Sequence, residues 1–182
     1  MPAADLVGGR FVVWDRAAGG RIFRSGYYGK PVGVPKPKAD GGDVPLGAPL
    51  VLDAMEALYL SRKGVITVRS GGRRLGDAEI EEACRASHHG FAPRYAVYED
   101  FRERGYVVGP GIKFGCDFAV YERGPGIDHA PYLVRVCTRS EPLTATGLVH
   151  AGRMATTVKK QFIFAIPGSG GVEYLAIDWW RA

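Results

Sequence analysis

The stretch from Lys113 to Val136, KFGCDFAVYERGPGIDHAPYLVRV, decides the fold of the second half of the chain. Its apolar residues form two runs, KFGCDFAVY and YLVRV, which are separated by a loop rich in glycine and proline. Such a pattern predicts two neighbouring strands. Alternation along the first run places Phe114, Cys116, Phe118 and Val120 on the core face. It therefore predicts that Tyr121 points away from the core at the end of its strand.

Three ionisable residues stand at the ends of apolar runs. Tyr121 closes the first run, His129 follows eight positions later, and Lys160 comes 31 positions after His129, just before the run QFIFAI. These side chains include neither a strong nucleophile nor a metal-binding cluster, but RNA carries its own nucleophile, the 2′-OH. Its cleavage without a metal needs a base, an acid for the 5′-oxygen and a cation beside the phosphorane. The three residues fit these roles, although spacing alone favours ordinary core and surface roles for them.

Composition narrows the class of protein. The 182 residues are 46% hydrophobic and 24% charged, and no apolar run approaches the roughly 20 residues that span a bilayer. The start lacks a signal peptide, so we expect a soluble cytoplasmic protein. The net charge of +5 favours an anionic partner, nucleic acid first, although a mildly basic protein without one is the alternative. The chain has no asparagine and a single glutamine, Gln161, which suggests a thermophile or a GC-biased genome.

Cysteine and histidine give no sign of a metal site. Cys84, Cys116 and Cys137 are scattered without a C-x-x-C spacing, so we expect free thiols. The adjacent His88 and His89 diverge from each other, no carboxylate cluster follows them, and we expect solvent-facing loop residues. No metal or cofactor is predicted.

The order of patterns along the chain predicts an α/β (α+β) protein with two domains. Residues 1–89 form a small α/β domain, in which GRFVVWD and GRIFRSGYYG are predicted strands around a turn RAAGGR. A basic loop, or a mere connector, spans about residues 30–49. Helices are predicted over VLDAMEALYLSRKG, with Leu52 on its packed face, and from Asp77, as N-cap, to about Ala86. Residues 90–182 form a mixed sheet with flanking helices, beginning with the helix RYAVYEDFRERG.

Several stretches together resemble the tRNA-splicing endonucleases, also called tRNA-intron lyases. YAVYEDFRERGYVVGPGIKFGCDFAVYERGPGIDHAPYLVRV and GRMATTVKKQFIFAI resemble their catalytic domain, and PLVLDAMEALYLSRKG resembles the amino-terminal domain of archaeal members. The family's Tyr–His–Lys triad falls on Tyr121, His129 and Lys160. The resemblance implies excision of introns from precursor tRNA at bulge–helix–bulge structures. This metal-free reaction leaves a 2′,3′-cyclic phosphate and a 5′-OH.

The resemblance also implies individual roles. Tyr121 is the base for the 2′-OH, His129 the acid for the 5′-oxygen, and Lys160, rather than its neighbour Lys159, stabilises developing charge. Arg153 matches a family arginine that holds a bulge base by cation–π stacking, although it is equally placed for a salt bridge on a helix surface. Arg181 is a candidate companion for it.

The resemblance further predicts a partner subunit. Self-assembling archaeal members carry an acidic loop in the last hairpin, which inserts into a basic cleft of a neighbouring subunit. Here the hairpin tip, residues 167–171, has no acidic residue. We therefore expect the catalytic chain of an (αβ)2 heterotetramer, as in crenarchaea, with a non-catalytic chain supplying the acidic loop. The extra basic loop also resembles that of crenarchaeal catalytic chains, and Lys36 and Lys38 are its candidate phosphate contacts.

Three alternatives are less favoured. The first is a non-catalytic RNA-binding or scaffolding paralogue, which would not need the triad. The second is a metal-dependent DNA nuclease with Asp117 and Glu122 as ligands, although no D-x-x-x-[DE]-x-K run joins them. The third is a general ribonuclease that uses the same triad without specificity for tRNA.

Overall fold

A computed structural model describes residues 1–34 and 47–177. The chain divides into two compact units, Met1–Phe91 and Ala92–Ala182. Lys36 and Lys38 of the basic loop, and Arg181, lie outside the described residues. No helix within the described ranges is long and apolar enough to cross a membrane.

The first unit is a mixed sheet with helices. Its described strands lie in the order β3-β4-β2-β1-β5-β6; β1 and β5 run parallel and the other neighbours antiparallel. The elements are β1 (Ala3–Val7), β2 (Arg10–Val13), α1 (Arg16–Gly26), β3 (Lys30–Pro31), β4 (Leu50–Leu52), α2 (Ala54–Arg62), β5 (Thr67–Ser70), β6 (Arg73–Arg74) and α3 (Asp77–Ser87).

The prediction of a turn and a strand after β2 is wrong, because that segment is helix α1. Asp15 caps the helix, its carboxylate accepting hydrogen bonds from the backbone N–H of Ala17 and Ala18 at 2.9 and 3.0 Å. Ile22 follows Ala18 by one helical turn, and both are buried. Packing of this face against β2 and β4 outweighs the poor helix propensity of the glycines inside α1.

Two helix starts also differ from the prediction. Helix α2 begins one residue after Asp53, which caps it together with Glu56 in a capping box, so Leu52 belongs to β4 and not to the helix. Helix α3 begins at Asp77, and Gly76 occupies the N-cap position that was predicted for Asp77.

The second unit is also a mixed sheet with helices, which confirms the predicted fold class. Its described strands lie in the order β11-β10-β9-β8-β7, with β9 and β10 parallel and the other neighbours antiparallel. The elements are α4 (Phe91–Glu103), β7 (Val107–Pro110), β8 (Phe118–Tyr121), β9 (Tyr132–Val136), α5 (Ala145–Val158), β10 (Gln161–Gly168) and β11 (Gly171–Ile177).

The run KFGCDFAVY is only partly a strand, so the predicted strand is too long. Residues Ile112–Phe114 form a short 3-10 helix that ends at Gly115, whose φ of 69° is left-handed. Gly111 permits the turn, since a Cβ there would lie 2.8 Å from backbone atoms of Phe118. Alternation between the two faces therefore begins at Phe118.

The prediction that Tyr121 points away from the core is wrong because both faces of β8 are covered. On one face, the Phe118 ring lies 6.3 Å from the ring of Tyr98 on α4. On the other face, Ala119 belongs to a buried cluster with Ala151 and Ala155 of α5 and with residues of β9 and β10. Tyr121 shares the face of Ala119, and its half-buried ring packs against this cluster.

Candidate active site

The sheet register brings the three predicted catalytic residues to one end of three adjacent strands. Val120 of β8 lies opposite Tyr132 of β9, and Tyr132 lies opposite Gln161 of β10. Tyr121 directly follows Val120, His129 stands three residues before Tyr132, and Lys160 directly precedes Gln161. Antiparallel pairing of β8 with β9 and parallel pairing of β9 with β10 therefore place all three residues at the same end of these strands.

The ring of Tyr121 is held in place by packing against its neighbours. A Cβ on Gly109 of β7 would lie 3.5 Å from Cε2 of Tyr121, an ordinary van der Waals distance, so the phenol ring lies close to the backbone of β7. Burial raises the pKa of Tyr121, and the negative charge of Asp128 raises it further. The phenol is thus protonated at neutral pH in the free chain.

Asp128 organises the loop between β8 and β9. Its carboxylate accepts hydrogen bonds from the backbone N–H of Gly124 at 2.8 Å, Glu122 at 3.0 Å and Arg123 at 3.2 Å. Partial desolvation acts to raise the pKa of Asp128, but these hydrogen bonds outweigh it and the pKa lies below its usual value. A charged Asp128 therefore fixes the loop immediately before His129.

His129 is exposed between two anchored neighbours. On one side is Asp128, held by the loop backbone, and on the other is Ala130, which is buried and whose carbonyl accepts a hydrogen bond from Nζ of Lys160. The imidazole can therefore meet a ligand from solvent while its backbone stays in place.

Lys160 lies half-buried beside a second cation. Its Nζ donates to the carbonyl of Ala130 and lies 5.7 Å from the centre of the Phe114 ring. Nζ of Lys113 lies 4.8 Å from the same ring centre, so both ammonium groups lie near the Phe114 ring. Desolvation and the charge of Lys113 lower the pKa of Lys160, and Asp128 opposes that shift.

The backbone gives Lys159 and Lys160 different environments. Lys159 ends α5 in a left-handed conformation, with φ 53° and ψ 51°, and its side chain is exposed. The backbone N–H of Lys160 then bonds the carbonyl of Ala155 at 2.9 Å, and the chain enters β10. Lys160 therefore contacts the loop of His129, whereas Lys159 faces solvent.

Arg153 lies on the solvent-facing side of α5. It is exposed, while its neighbours Ala151 and Gly152 are buried. The described residues form no salt bridge with it, unlike the surface role that was the alternative for this residue. It stands seven residues, about two helical turns, before Lys160.

Asp117 and Glu122, the candidate ligands of a metal-dependent nuclease, have different surroundings. Asp117 accepts hydrogen bonds from Nε of Arg94 at 2.6 Å and from the backbone N–H of Val136 at 2.7 Å, which fixes the start of β8. Glu122 lies on the exposed loop. In residues 1–34 and 47–177, no three His, Cys, Asp or Glu side chains group as a metal site would require, and the three cysteines are free.

The sequence reasoning missed Asp128, Phe114 and Lys113 as parts of the site. An aspartate next to a candidate histidine, within a Gly/Pro-rich loop, is a signal for a carboxylate that bonds the loop backbone. Phe114 was assigned to the core face of a long strand. Its position beside Lys160 depends on the 3-10 helix, which the alternation pattern concealed.

Comparisons with known proteins agree with this architecture. The family model described as tRNA intron endonuclease, catalytic C-terminal domain, matches residues 91–174, and that of the N-terminal domain matches residues 3–81. A tRNA-splicing endonuclease of Hyperthermus butylicus is 44% identical over 98% of both chains. Those of Sulfurisphaera tokodaii and Saccharolobus solfataricus are 38% and 37% identical over 87% and 98% of both chains. The chain is therefore an enzyme of the tRNA intron endonuclease family, with both of the family's domains.

Proposed function

We propose that this chain excises introns from precursor tRNA by cutting bulge–helix–bulge structures without a metal ion. Membership of the tRNA intron endonuclease family supports the substrate class. The observation that carries the proposal is the meeting of Tyr121, His129 and Lys160 at one end of β8, β9 and β10. An RNA ribose–phosphate contributes the nucleophile that these side chains lack.

In the proposed reaction the 2′-oxygen attacks the adjacent phosphorus, and the bond from phosphorus to the 5′-oxygen breaks. The 2′-OH gives its proton to the Tyr121 phenolate, and the His129 imidazolium gives a proton to the departing 5′-oxygen. Lys160 balances the negative charge that develops on the phosphorane. The products are a 2′,3′-cyclic phosphate and a 5′-OH, and two protons have moved without a net gain or loss.

The protonation state of Tyr121 determines how much of the enzyme is reactive. Burial and Asp128 raise the pKa of Tyr121, so few free molecules hold the phenolate that the base role needs. The phenolate is, however, a stronger base when its pKa is higher, which offsets part of this loss. The reactive form is then the minor form in which Tyr121 is ionised.

We also propose that the active assembly is an (αβ)2 heterotetramer with a non-catalytic second chain. The turn between β10 and β11 consists of Ser169 and Gly170, between the paired Gly168 and Gly171, and is uncharged. On the following strand Glu173 already pairs with Arg139. Within residues 161–177, the hairpin therefore offers no carboxylate without an ion pair for a basic cleft, which supports a partner that supplies one.

The test is cleavage of a bulge–helix–bulge precursor tRNA in EDTA by this chain, alone and with candidate partner chains. His129→Ala should lower the rate by about 10² to 10⁴-fold, because it removes the general acid. His150→Ala is the matched control, since His150 is exposed on α5 away from the sheet end. A substrate with a 2′-deoxy nucleotide at the cleavage site should resist the enzyme.

Three results would contradict the proposal. Absence of cleavage with every partner would favour the scaffolding paralogue. Cleavage that EDTA abolishes, or that proceeds at the 2′-deoxy site, would favour a metal-dependent nuclease. Equal cleavage of unstructured RNA would favour a general ribonuclease.

A further inference from the structure

Among the described residues, the sheet of the first unit has one face packed under helices, the covered face, and one face, the open face, whose outer strands carry exposed side chains, although Val12 at its centre is only 8% exposed. Pro31, Leu50 and Val68 stand on the covered face and are buried, and α1 and α2 pack against β2, β4 and β5. Adjacent residues of each strand point to the other face. Cross-strand pairing there forms one continuous row, from β3 to β6, which defines the open face: Lys30, Val51, Val12, Asp5, Arg69 and Arg74.

The open face is strongly basic. Its strand residues include four cations, Lys30, Arg10, Arg69 and Arg74, against one carboxylate, Asp5. The cations are exposed, and no described residue forms an ion pair with any of them. The face therefore carries most of the excess charge of a chain whose net charge is +5.

Two arginines stand directly opposite each other on the open face. Arg69 of β5 pairs in register with Arg74 of β6, and like charges in this position destabilise a sheet. Arg73, the neighbour of Arg74, points to the covered face, where it pairs with Glu79 of α3 at 2.7 Å. Arg73 on the covered face thus has an acidic partner, whereas Arg69 and Arg74 on the open face have none among the described residues.

An aromatic side chain extends the open face beyond the end of β2. Val13 and Pro31 both lie opposite Leu50, and the backbone N–H of Val32 bonds the carbonyl of Pro49 at 3.0 Å. Trp14 directly follows Val13 and Val32 directly follows Pro31, so alternation continued past the strand ends assigns both to the open face; each is 55% exposed. A half-exposed tryptophan at the strand end of a face that carries several cations is a surface on which an RNA base can stack while arginines meet phosphates.

We propose that the open face binds precursor RNA, with Arg10, Arg69 and Arg74 contacting phosphates and Trp14 stacking on an unpaired base. This inference rests on the proposed function for the identity of the RNA, but it concerns a surface other than the catalytic sheet end. The successive phosphates of an RNA backbone supply anions for both opposed arginines, and a base can stack on the exposed Trp14, which an acidic protein loop has no need of. RNA is therefore the occupant that the charges favour.

The experiment measures the dissociation constant of the full chain, with its partner subunit, for a labelled precursor tRNA at several salt concentrations. The Arg69→Ala/Arg74→Ala double variant should weaken binding about 10-fold or more and lower the slope of log K against log salt by roughly 1 to 2. Arg73→Ala is the matched control, because it removes an arginine of the same hairpin from the other face. It should leave the dissociation constant and slope unchanged.

Two further variants separate binding from misfolding. Asp5→Asn removes the carboxylate of the open face and should tighten binding, which a damaged protein would not do. RNA should also quench tryptophan fluorescence of the wild-type chain more than that of Trp14→Phe. If the double variant binds RNA normally, the proposal is overturned. Loss of the partner subunit by that variant, with RNA binding unchanged, would identify the open face as a protein interface instead.

Cleavage of the same RNA by the wild-type enzyme is measured in parallel. Cleavage combined with binding that ignores Arg69 and Arg74 overturns the RNA role of the open face and leaves the proposed function standing. If RNA binding depends on these arginines but no cleavage occurs, the proposed function is overturned and the proposal that the open face binds RNA is kept.

Discussion

Asp128, in the loop between β8 and β9, influences all three residues of the proposed catalytic site. Its carboxylate holds three backbone N–H groups next to His129. The same charge raises the pKa of Tyr121 and opposes the lowering of the pKa of Lys160. Asp128 is therefore a positioning residue whose geometric and electrostatic effects are separable by mutation.

Asp128→Asn should keep one acceptor oxygen for the loop but remove the negative charge. The pKa of Tyr121 and that of Lys160 should then both fall, so the alkaline limb of the kcat profile moves to lower pH. Asp128→Ala should also loosen the loop and lower kcat by about 10- to 100-fold, since small misplacements of reacting groups are costly.

The pH profiles of the two variants and of the wild-type enzyme, measured on one precursor tRNA, provide the check. Equal profiles for wild type and Asp128→Asn would show that the charge has no influence on the titrating groups. A purely structural role would lower kcat in both variants without moving the limb.

At the scale of elements, local signals predicted some helices well and others not. The run VLDAMEALYLSRKG predicts a helix, and the structure has helix α2 within it. Helix α1 was missed because its adjacent glycines suggested a turn, although Asp15 was a usable cap signal. Packing of Ile22 and Phe23 decides that segment, and packing is a tertiary effect that propensity does not contain.

The candidate site shows the same division. The resemblance identified Tyr121, His129 and Lys160, whose catalytic roles stay predictions. That Tyr121 is half-buried could not be predicted from alternation, because helices cover both faces of β8. The meeting of Lys160 with the loop of His129 depends on parallel pairing of β9 and β10, which no local pattern specifies.

The last hairpin is fastened to α4 by a tyrosine. The hydroxyl of Tyr174 on β11 donates to Asp100 at 2.5 Å, the carboxylate also pairs with Arg104, and the ring lies 5.1 Å from that of Phe101. Burial and the hydrogen bond to Asp100 raise the pKa of Tyr174 well above its usual value. The folded state therefore holds this proton more tightly than the unfolded state does.

Tyr174→Phe should lower the free energy of unfolding by about 1 to 3 kcal/mol at neutral pH, because it removes a hydrogen bond to a charged group. The contribution of Tyr174 is present below the unfolded pKa of about 10 and is lost as pH rises above it. The difference between wild type and variant should thus shrink in alkaline solution. Denaturant unfolding at neutral pH and above about pH 10 measures the free energy of unfolding of wild type and variant. A difference between them that grows with pH would contradict the stabilising role of the Tyr174 proton.

At the scale of the whole molecule, the uncharged turn at Ser169 and Gly170 predicts how the enzyme assembles. Purified alone, the chain should not form the functional tetramer, whereas co-expression with a chain bearing an acidic hairpin should yield one with precursor cleavage. Light scattering coupled to gel filtration measures the mass of each species. A tetramer of this chain alone with full activity would contradict the prediction while leaving the catalytic assignment intact.

The parallel pairing of β9 with β10 also imposes an order in time during synthesis. Lys160 is added 31 residues after His129, a delay of roughly 2 to 6 s at common rates of translation. Until α5 has been made and β10 has paired with β9, Tyr121 and His129 lack the ammonium group of Lys160. A nascent chain therefore emerges among ribosomal and transfer RNA with its proposed catalytic site still incomplete.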